Sequence, residues 1–373
     1  MATLQEILNK AGTLENAERM ARFLSDDDPA YLMDLQLVLS IQGKCNEAWE
    51  VSNRATKLYP NDYRVAFNRG WLVMQKGDLL NGFKLMDKGR FIKIWGSPPL
   101  QTSQPIWDGK QDISGKTILF YCEAGFGDEI VHVRFAKLLA AQGAKVVLAC
   151  SPELMSLFSR ISGVSAVVNK LAATAVYHDY WIPSMSAAKL CGIMHEMLSG
   201  ESYLSPHPEY IEKWENIVGN NDNSIKIGIR WSGNPQFELD QHRSIPAEQI
   251  IELANLPNVD VYSLQRDTDL VYLPDNIIDL SPKLETWEDT AIAVDCLDLV
   301  ITSCTAIAHL AAAMGKTTWV IVPVMPYYVW VLPGESSPWY DSARLFRQEK
   351  FGDWGKPIQK VKAELELLID RET

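Results

Sequence analysis

Thr117 to Ile130 read TILFYCEAGFGDEI. A short apolar run rich in β-formers ends in a glycine turn, and a helical pattern starts at once behind it. Strand, turn and helix in that order put the residues after the strand at the carboxyl edge of a parallel sheet, where open α/β folds bind ligands. Two carboxylates, Glu123 and Asp128, flank the turn. Gly125, Phe126 and Gly127 form its centre, and the glycines let a backbone approach something closely.

The alternation continues outward from this stretch. Residues 128–142 predict a helix, with Val131, Phe135, Leu138 and Leu139 on one face. A strand follows over 145–150, a helix over 152–161 and a short strand over 165–168. A second series begins at Ile225. Strands are predicted over 225–231, 259–265, 298–302 and 317–322. Helices are predicted over 246–254, with Ser244 near the N-cap, and over 287–296 and 305–314. The last helix, over 357–370, carries Ile358, Val361, Leu365 and Leu368 on one face. This is an α/β pattern of two Rossmann-like halves, residues 116–222 and 223–355, with a cleft between them and a C-terminal helix within 356–373.

The first 95 residues form an all-α module with an internal period. Gly43 and Gly77, Leu39 and Val73, and Ala48 and Gly82 are each 34 residues apart. Leu32, Leu35 and Leu39 make one apolar stripe, Ala48 and Ala55 let paired helices approach, and Pro60 closes the first unit. Residues 3–24 read as a degenerate earlier unit. A plain helical bundle is the alternative. Either arrangement serves contacts rather than chemistry, through a protein partner or self-association, and so short an array should pack on the next domain. Residues 96–115, rich in proline, glycine and serine, read as a linker.

Composition narrows the class. The 373 residues are 47% apolar and 22% charged, as in an ordinary globular chain. No apolar run approaches 18 residues, so no transmembrane segment is expected. The first residues lack a basic start and an apolar core, so no signal peptide is expected. The six cysteines are scattered without a CxxC pair, which fits reduced thiols in a cytoplasmic protein. The net charge of −12 disfavours nucleic acid and anionic lipid as broad electrostatic partners.

Three constellations carry the chemistry. The opening turn has no third glycine at dinucleotide-binding spacing, and no acidic residue ends the second strand. A nicotinamide-dependent oxidoreductase is therefore set aside, and no GxxxxGK[ST] phosphate loop is present. Asp128 reads either as a helix N-cap or as a general base for an acceptor hydroxyl, with the helix start keeping it ionised. Glu123 reads as a hydrogen-bonding anchor for the turn. Thr302 to His309, TSCTAIAH, lies between a buried strand and an apolar helix. Its free N–H groups suit a diphosphate, with Thr305 adding a hydroxyl and His309 one turn further on. A satisfied core histidine is the alternative for His309. Arg230 to Ile245, RWSGNPQFELDQHRSI, is a polar loop after a strand. Its Arg243 is placed to neutralise a leaving phosphate, unless Glu238, Asp240 and Arg243 form only a solvated ion-pair face. The triplet Asp267-Thr268-Asp269 and the run Asp26-Asp27-Asp28 are weak metal signals, no HExxH occurs, and no metal is expected.

Behind a tetratricopeptide-like module, these segments in this order resemble a known group. Besides the opening stretch, the matching pieces are IGIRWSGNP, DQHRSIP, YSLQRD, WEDTAIAVDCLDLVIT, TAIAHLAAAMGKTTWVIVP and SPWYDSARLFRQEKFGDW. The group is the bacterial tetratricopeptide-repeat proteins with a glycosyltransferase domain similar to the heptosyltransferases of glycosyltransferase family nine, distantly akin to O-GlcNAc transferase. The resemblance implies a GT-B fold and an inverting, metal-independent transfer. It implies no cofactor beyond a nucleotide-diphosphate sugar as co-substrate. It puts the proposed base on Asp128, the diphosphate at Thr305, Ala306 and His309, and the nucleoside near Gln265. Ser232 and Arg243 would lie near the phosphates, and Asn234 would be a further substrate-binding residue. The acceptor stays open between saccharide, protein and small molecule. Relatives commonly carry Asp-Thr-Ala where this chain has Cys304-Thr305-Ala306, and Trp-Arg-Trp where it has Tyr328-Val329-Trp330. Both departures bear on sugar, acceptor and activity. A non-catalytic nucleotide-sugar-binding or partner-recruiting module is the rival expectation.

Overall fold

The computed structural model describes residues 11–24, 28–219, 223–237, 240–266 and 272–372. Order in the N-terminal module starts at its caps. The Asp28 and Asp62 carboxylates accept the N–H groups of Ala30 and Arg64, both at 2.8 Å, and open the helices Pro29–Ile41 and Tyr63–Gln75. Both helices end in left-handed glycines, Gly43 (φ 74°) and Gly77 (φ 90°). There the N–H groups of Lys44 and Asp78 reach back to the Leu39 and Val73 carbonyls. Helices Cys45–Leu58 and Leu79–Met86 follow. Caps, glycines and helix starts all recur at 34 residues, so the period read from the sequence is the register of two helical hairpins. The helix Leu14–Leu24 packs Leu14 and Ala17 against Val38 and Ile41. The first part of the expected earlier unit, residues 3–10, lies outside the described residues.

The stretch 96–115 is not a free tether. Trp107 and Ile113 are buried, and Pro105 and Trp107 exchange backbone hydrogen bonds with Trp181. Its proline and glycine content reflects an irregular path, while its apolar residues dock it on a sheet edge.

Two parallel sheets follow. The first has the order β3-β2-β1-β4, from Val164–Asn169 (β3), Lys145–Cys150 (β2), Thr117–Tyr121 (β1) and Tyr180–Pro183 (β4). The second has the order β10-β9-β8-β5-β6-β7. Its strands are Ile225–Arg230 (β5), Val259–Ser263 (β6), Ile277–Asp279 (β7), Leu299–Ser303 (β8), Thr318–Val322 (β9) and Ala343–Arg347 (β10). Strands β4, β7 and β10 were not expected. Each lacks the long apolar signature of a central parallel strand: β4 ends in proline, β7 is three residues long, and β10 carries Arg344 and Arg347. The final helix, Gly355–Glu372, covers one face of the second sheet through Ile358, Val361 and Leu365.

The helix expected over 128–142 is two helices, Phe126–His132 and Phe135–Ala141. The Arg134 guanidinium takes the Val131 carbonyl at 3.1 Å, and Ala136 N–H turns to Val133 instead. The helix expected over 246–254 is also shorter. It spans Ala247–Ile251 behind Pro246, with no side-chain cap from Ser244, and tightens into a 3₁₀ turn, Glu252–Asn255. The segment 152–161 likewise splits into a 3₁₀ turn, Pro152–Leu154, and a short helix, Met155–Phe158.

One apolar core runs from Phe67 and Phe83 of the helical module, through Ile118 and Phe120 of β1, to Val300 and Val320 of the second sheet. A buried ion pair pins the module to the edge of the first sheet. Glu123, 1% exposed, accepts two hydrogen bonds from Arg90 (2.7 and 2.6 Å) and one each from the Ser97 and Met185 N–H groups (2.9 and 3.1 Å). Beside it, Asp87 binds Lys189 and Ser186, both at 2.5 Å. Removing one partner leaves the other charge buried and unpaired. Glu123→Ala should therefore cost about 3 kcal/mol in urea unfolding, whereas Arg344→Ala, which breaks a more exposed ion pair, should cost under about 1 kcal/mol.

Candidate functional site

Two helices that follow sheet strands, one from each half, meet. Gly127, in the first turn of Phe126–His132, faces the start of the helix Ala306–Ala313. A Cβ placed on Gly127 would lie 3.4 Å from both Ala306 Cα and His309 Cδ2. Gly127 therefore lies in the helix-to-helix contact between the halves, where an added methyl would just touch Ala306 and His309. Gly125 is extended (φ −90°) and caps the helix without a side chain. The left-handed residue of the turn is Ala124 (φ 61°), whose N–H reaches Ser97 Oγ at 3.3 Å. Phe126 packs edge-on against Trp287 of the second half, with ring centroids 5.4 Å apart.

Asp128 is the third residue of its helix, not the cap. Its Oδ2 accepts the Gly125 N–H at 3.1 Å, and its Oδ1 accepts the Tyr327 hydroxyl. Burial pushes its carboxyl above the usual carboxylate range, against the lowering effects of Tyr327, the Gly125 N–H and the charge on Arg243. Desolvation is thus the largest influence on its ionisation, opposing the helix start that the sequence expectation invoked. One turn on, His132 donates from Nδ1 to the Asp128 carbonyl at 2.9 Å, so its Nε2 accepts the Tyr328 hydroxyl at 2.9 Å. The neighbouring Glu129 is fully buried and accepts from Ser151 N–H (2.9 Å), Ser151 Oγ (2.6 Å) and Lys170 (2.8 Å). That set ties the helix to the end of β2.

On the other half, Thr305 caps Ala306–Ala313 with extended backbone, and its side chain makes no cap bond. Its hydroxyl instead lies 3.4 Å from Thr302 Oγ1. His309, 4% exposed, stacks on Trp330 (5.2 Å, 6°) and meets the Tyr340 hydroxyl at 3.3 Å. Burial, with the charges of Arg134 and Arg243 behind it, lowers its pKa to about 3. Burial likewise lowers His132 to about 4. Cys304 is buried, its thiol kept protonated by desolvation. Arg243 donates to the Cys304 carbonyl and to Asp240, both at 2.9 Å, and lies over the Phe237 ring.

The carboxyl edge of the second sheet carries unsatisfied polar atoms. Gln265, after β6, accepts the Trp231 and Ser232 N–H groups through Oε1 (3.2 and 3.1 Å). Its buried Nε2 finds no partner, and neither do Ser232 Oγ after β5 and Ser303 Oγ at the end of β8. Buried polar groups are ordinarily paired, so three orphans on neighbouring strand ends mark a place prepared for a polar ligand. Asn234 stands apart from them: it is exposed, and its Oδ1 closes a local turn onto Gln236 N–H at 2.9 Å. Asp267-Thr268-Asp269 and Glu238 lie outside the described residues. Sequence reasoning did not single out Ser303 or Tyr327. The signal for Ser303 was its place inside TSCTAIAH, and for Tyr327 its place in a loop directly after β9.

No protein-family model matches the chain. It is similar to protein FlbA of Caulobacter vibrioides, with 23% identity over 334 residues, 80% of this chain and 54% of FlbA. The chain thus spans about half the length of that curated relative. The structure is similar to a glycosyl transferase family 9 protein from Veillonella parvula, with a TM-score of 0.54 and 12% identity over 70% of this chain and 99% of that one. It also aligns with E. coli ADP-heptose lps heptosyltransferase II, with a TM-score of 0.48 and 17% identity over 69% of this chain and 99% of that one. The first likeness shows a shared two-sheet α/β fold.

His132 and His309 set a pH dependence. Their neutral forms are native, while the unfolded chain takes up protons near pH 6.5, so their contribution is complete above that pH. It is lost as pH falls from 6.5 towards 4 and 3. Between pH 6.5 and 5 each histidine should remove about 2 kcal/mol of stability. Urea midpoints across that range should fall, and less steeply in His132→Asn and His309→Asn.

Proposed function

We propose that this chain is a glycosyltransferase that moves a sugar from a nucleotide-diphosphate donor to an acceptor hydroxyl with inversion. The observation that carries the reading is the row of orphaned polar atoms at Ser232, Gln265 and Ser303, next to an uncapped helix start. A nucleoside diphosphate supplies what that row lacks: acceptors and donors for buried side chains, and negative charge for free N–H groups. The shared fold with a family 9 glycosyl transferase favours the same class.

In this reading Asp128 takes the proton of the acceptor hydroxyl as its oxygen attacks the anomeric carbon. The bond from that carbon to the diphosphate oxygen breaks, and the diphosphate leaves with the electron pair. The Thr305 N–H is already taken by the Ser303 carbonyl at 2.8 Å, so the N–H at Ala306, with the Thr305 hydroxyl and Arg243, would stabilise the growing charge. His309, neutral at pH 7, acts as a hydrogen-bonding group there rather than as a cation. Asp128 suits the base role because burial raises its proton affinity towards working pH. Its two present hydrogen bonds leave a lone pair on each oxygen. No metal and no resident cofactor enter this scheme. The 34-residue hairpins, read as tetratricopeptide-like, would recruit a protein acceptor or partner, and the setting would be the cytoplasm. Among the described residues no helix is long and apolar enough to cross a membrane.

A second reading, a nucleotide-sugar binder without turnover, draws on the engagement of both Asp128 oxygens. One experiment separates the two. Donor hydrolysis and transfer are followed over a panel of nucleotide sugars, with calorimetric binding of the same donors. Asp128→Asn should lower turnover by about a hundredfold or more and leave binding within about threefold. Gln265→Ala should weaken binding about tenfold. Equal turnover in Asp128→Asn removes the base role, and binding without turnover in the wild type favours the binder.

A further inference from the structure

Tyr327 and Tyr328 form a bridge that neither the fold nor the proposed chemistry requires. Each ring packs against the helical module. The Trp71 ring lies 6.0 Å from Tyr327 and 6.2 Å from Tyr328, and Phe83 lies 5.5 Å from Tyr328. Each hydroxyl points the other way, onto one helix of the first sheet domain. Tyr327 donates to the Asp128 carboxylate, and Tyr328 to His132 one turn on. Residues of the second sheet domain therefore hold a carboxylate of the first while resting on aromatic rings of a third unit.

We infer that Tyr327 is a positioning residue for Asp128, and that Trp71 of the helical module holds Tyr327 in place. The module then completes the site as well as offering a docking surface. Calling Asp128 a base rests on the function proposed above, but the clamp itself does not. The geometry makes the Tyr327 hydroxyl the one side-chain donor on Asp128 among the described residues, since the other bond comes from the backbone of Gly125. The ring has little freedom. It also lies 4.3 Å from Tyr328 and 6.3 Å from His309. A phenol so fixed sets the direction of Oδ1 and leaves its second lone pair for a substrate hydroxyl.

The charges around Asp128 fix what removal of the phenol should do. Arg243 faces it from the loop after β5 and favours the carboxylate. His309, on the facing helix, and His132, on its own helix, are neutral above about pH 4. Cys304 is a protonated thiol, and Tyr327 itself stays protonated because burial and Asp128 both disfavour a phenolate. The phenol bond is thus the largest influence holding the carboxyl down against burial, and losing it moves the titration up.

Two readouts on the full-length chain test this. The first is the carbon-13 titration of the Asp128 carboxyl, which needs no turnover and is assigned with Asp128→Asn. The second is the pH profile of donor turnover. In Tyr327→Phe, which keeps the ring, the Asp128 titration should move to higher pH. Turnover on the acid side should fall about tenfold, with KM changed less than about twofold. Tyr328→Phe, which loses the hydroxyl bound to His132, should leave the Asp128 titration in place. Trp71→Ala should move it in the same direction as Tyr327→Phe, and Trp71→Phe should restore it. An unmoved titration in Tyr327→Phe overturns the inference, as does an equal shift in Tyr328→Phe, which would mean general loosening. An unmoved titration in Trp71→Ala overturns the part assigned to the module. Full turnover in Asp128→Asn together with the titration shift in Tyr327→Phe removes the base role and leaves the clamp standing.

Discussion

The approach of two helix starts across Gly127 is the constraint on which the rest depends. The helices Phe126–His132 and Ala306–Ala313 each leave the carboxyl edge of a parallel sheet and run into one another. Each start carries free N–H groups and about half a positive charge. Arg243 lies close enough to act on both Asp128 and His309, and Arg134 acts on His309 from behind. Like charge therefore collects at the contact. Asp240, paired with Arg243, and Asp128 offset part of it, and a bound diphosphate would offset more. Burial is the main reason that His132 and His309 are neutral, helped by Arg134 at both, Arg90 at His132 and Arg243 at His309. A protonated imidazole there would add charge of the wrong sign in a desolvated place.

The aromatic shell makes that contact rigid. His309 stacks on Trp330, His132 bonds Tyr328, and Arg134 lies over the rings of Tyr203, Trp339 and Tyr340. Rings of the helical module close the shell from outside. The module is therefore no appended arm: its Phe67 and Phe83 lie in the same core as β1 and the inner face of the second sheet. The Arg90–Glu123 pair adds direction to the apolar contact, because a bidentate guanidinium accepts only one orientation of its carboxylate.

Much of this was legible in the sequence. The 34-residue period became caps at Asp28 and Asp62 and left-handed turns at Gly43 and Gly77, because a repeat in sequence is a repeat of local backbone rules. The central parallel strands announced themselves as continuous apolar runs. The edge strands β4, β7 and β10 did not: β4 ends in proline, β7 is three residues long and β10 is interrupted by arginines. The break at Arg134 was hidden because a side chain, not a proline or glycine, takes the carbonyl. At the site, residues 125–128 and 302–309 were placed by strand-turn-helix logic, which fixes where along a strand a loop starts. Which loops meet is set by packing between the halves. The Tyr327 bond to Asp128, 199 residues away, therefore has no local signature, and neither does the contact of Gly127 with Ala306 and His309.

Several departures from ordinary packing rules lie at the carboxyl edges of the two sheets. Gln265, Ser232 and Ser303 bury unpaired polar atoms at strand ends, Ala124 holds a left-handed backbone without being glycine, and Thr305 caps a helix without using its side chain. Each costs stability that ordinary substitution would recover. The free N–H groups of one helix and a carboxylate whose proton affinity burial has raised lie along the same edges. Glu129, next to Asp128 in the chain, shows how the same fold treats a carboxylate that serves only as an anchor. It is fully buried, with Ser151 and Lys170 around it. Asp128 is left half-buried, with one backbone and one phenol donor. That contrast between adjacent acids gives the anchoring contacts to Glu129 and suits the base role proposed for Asp128.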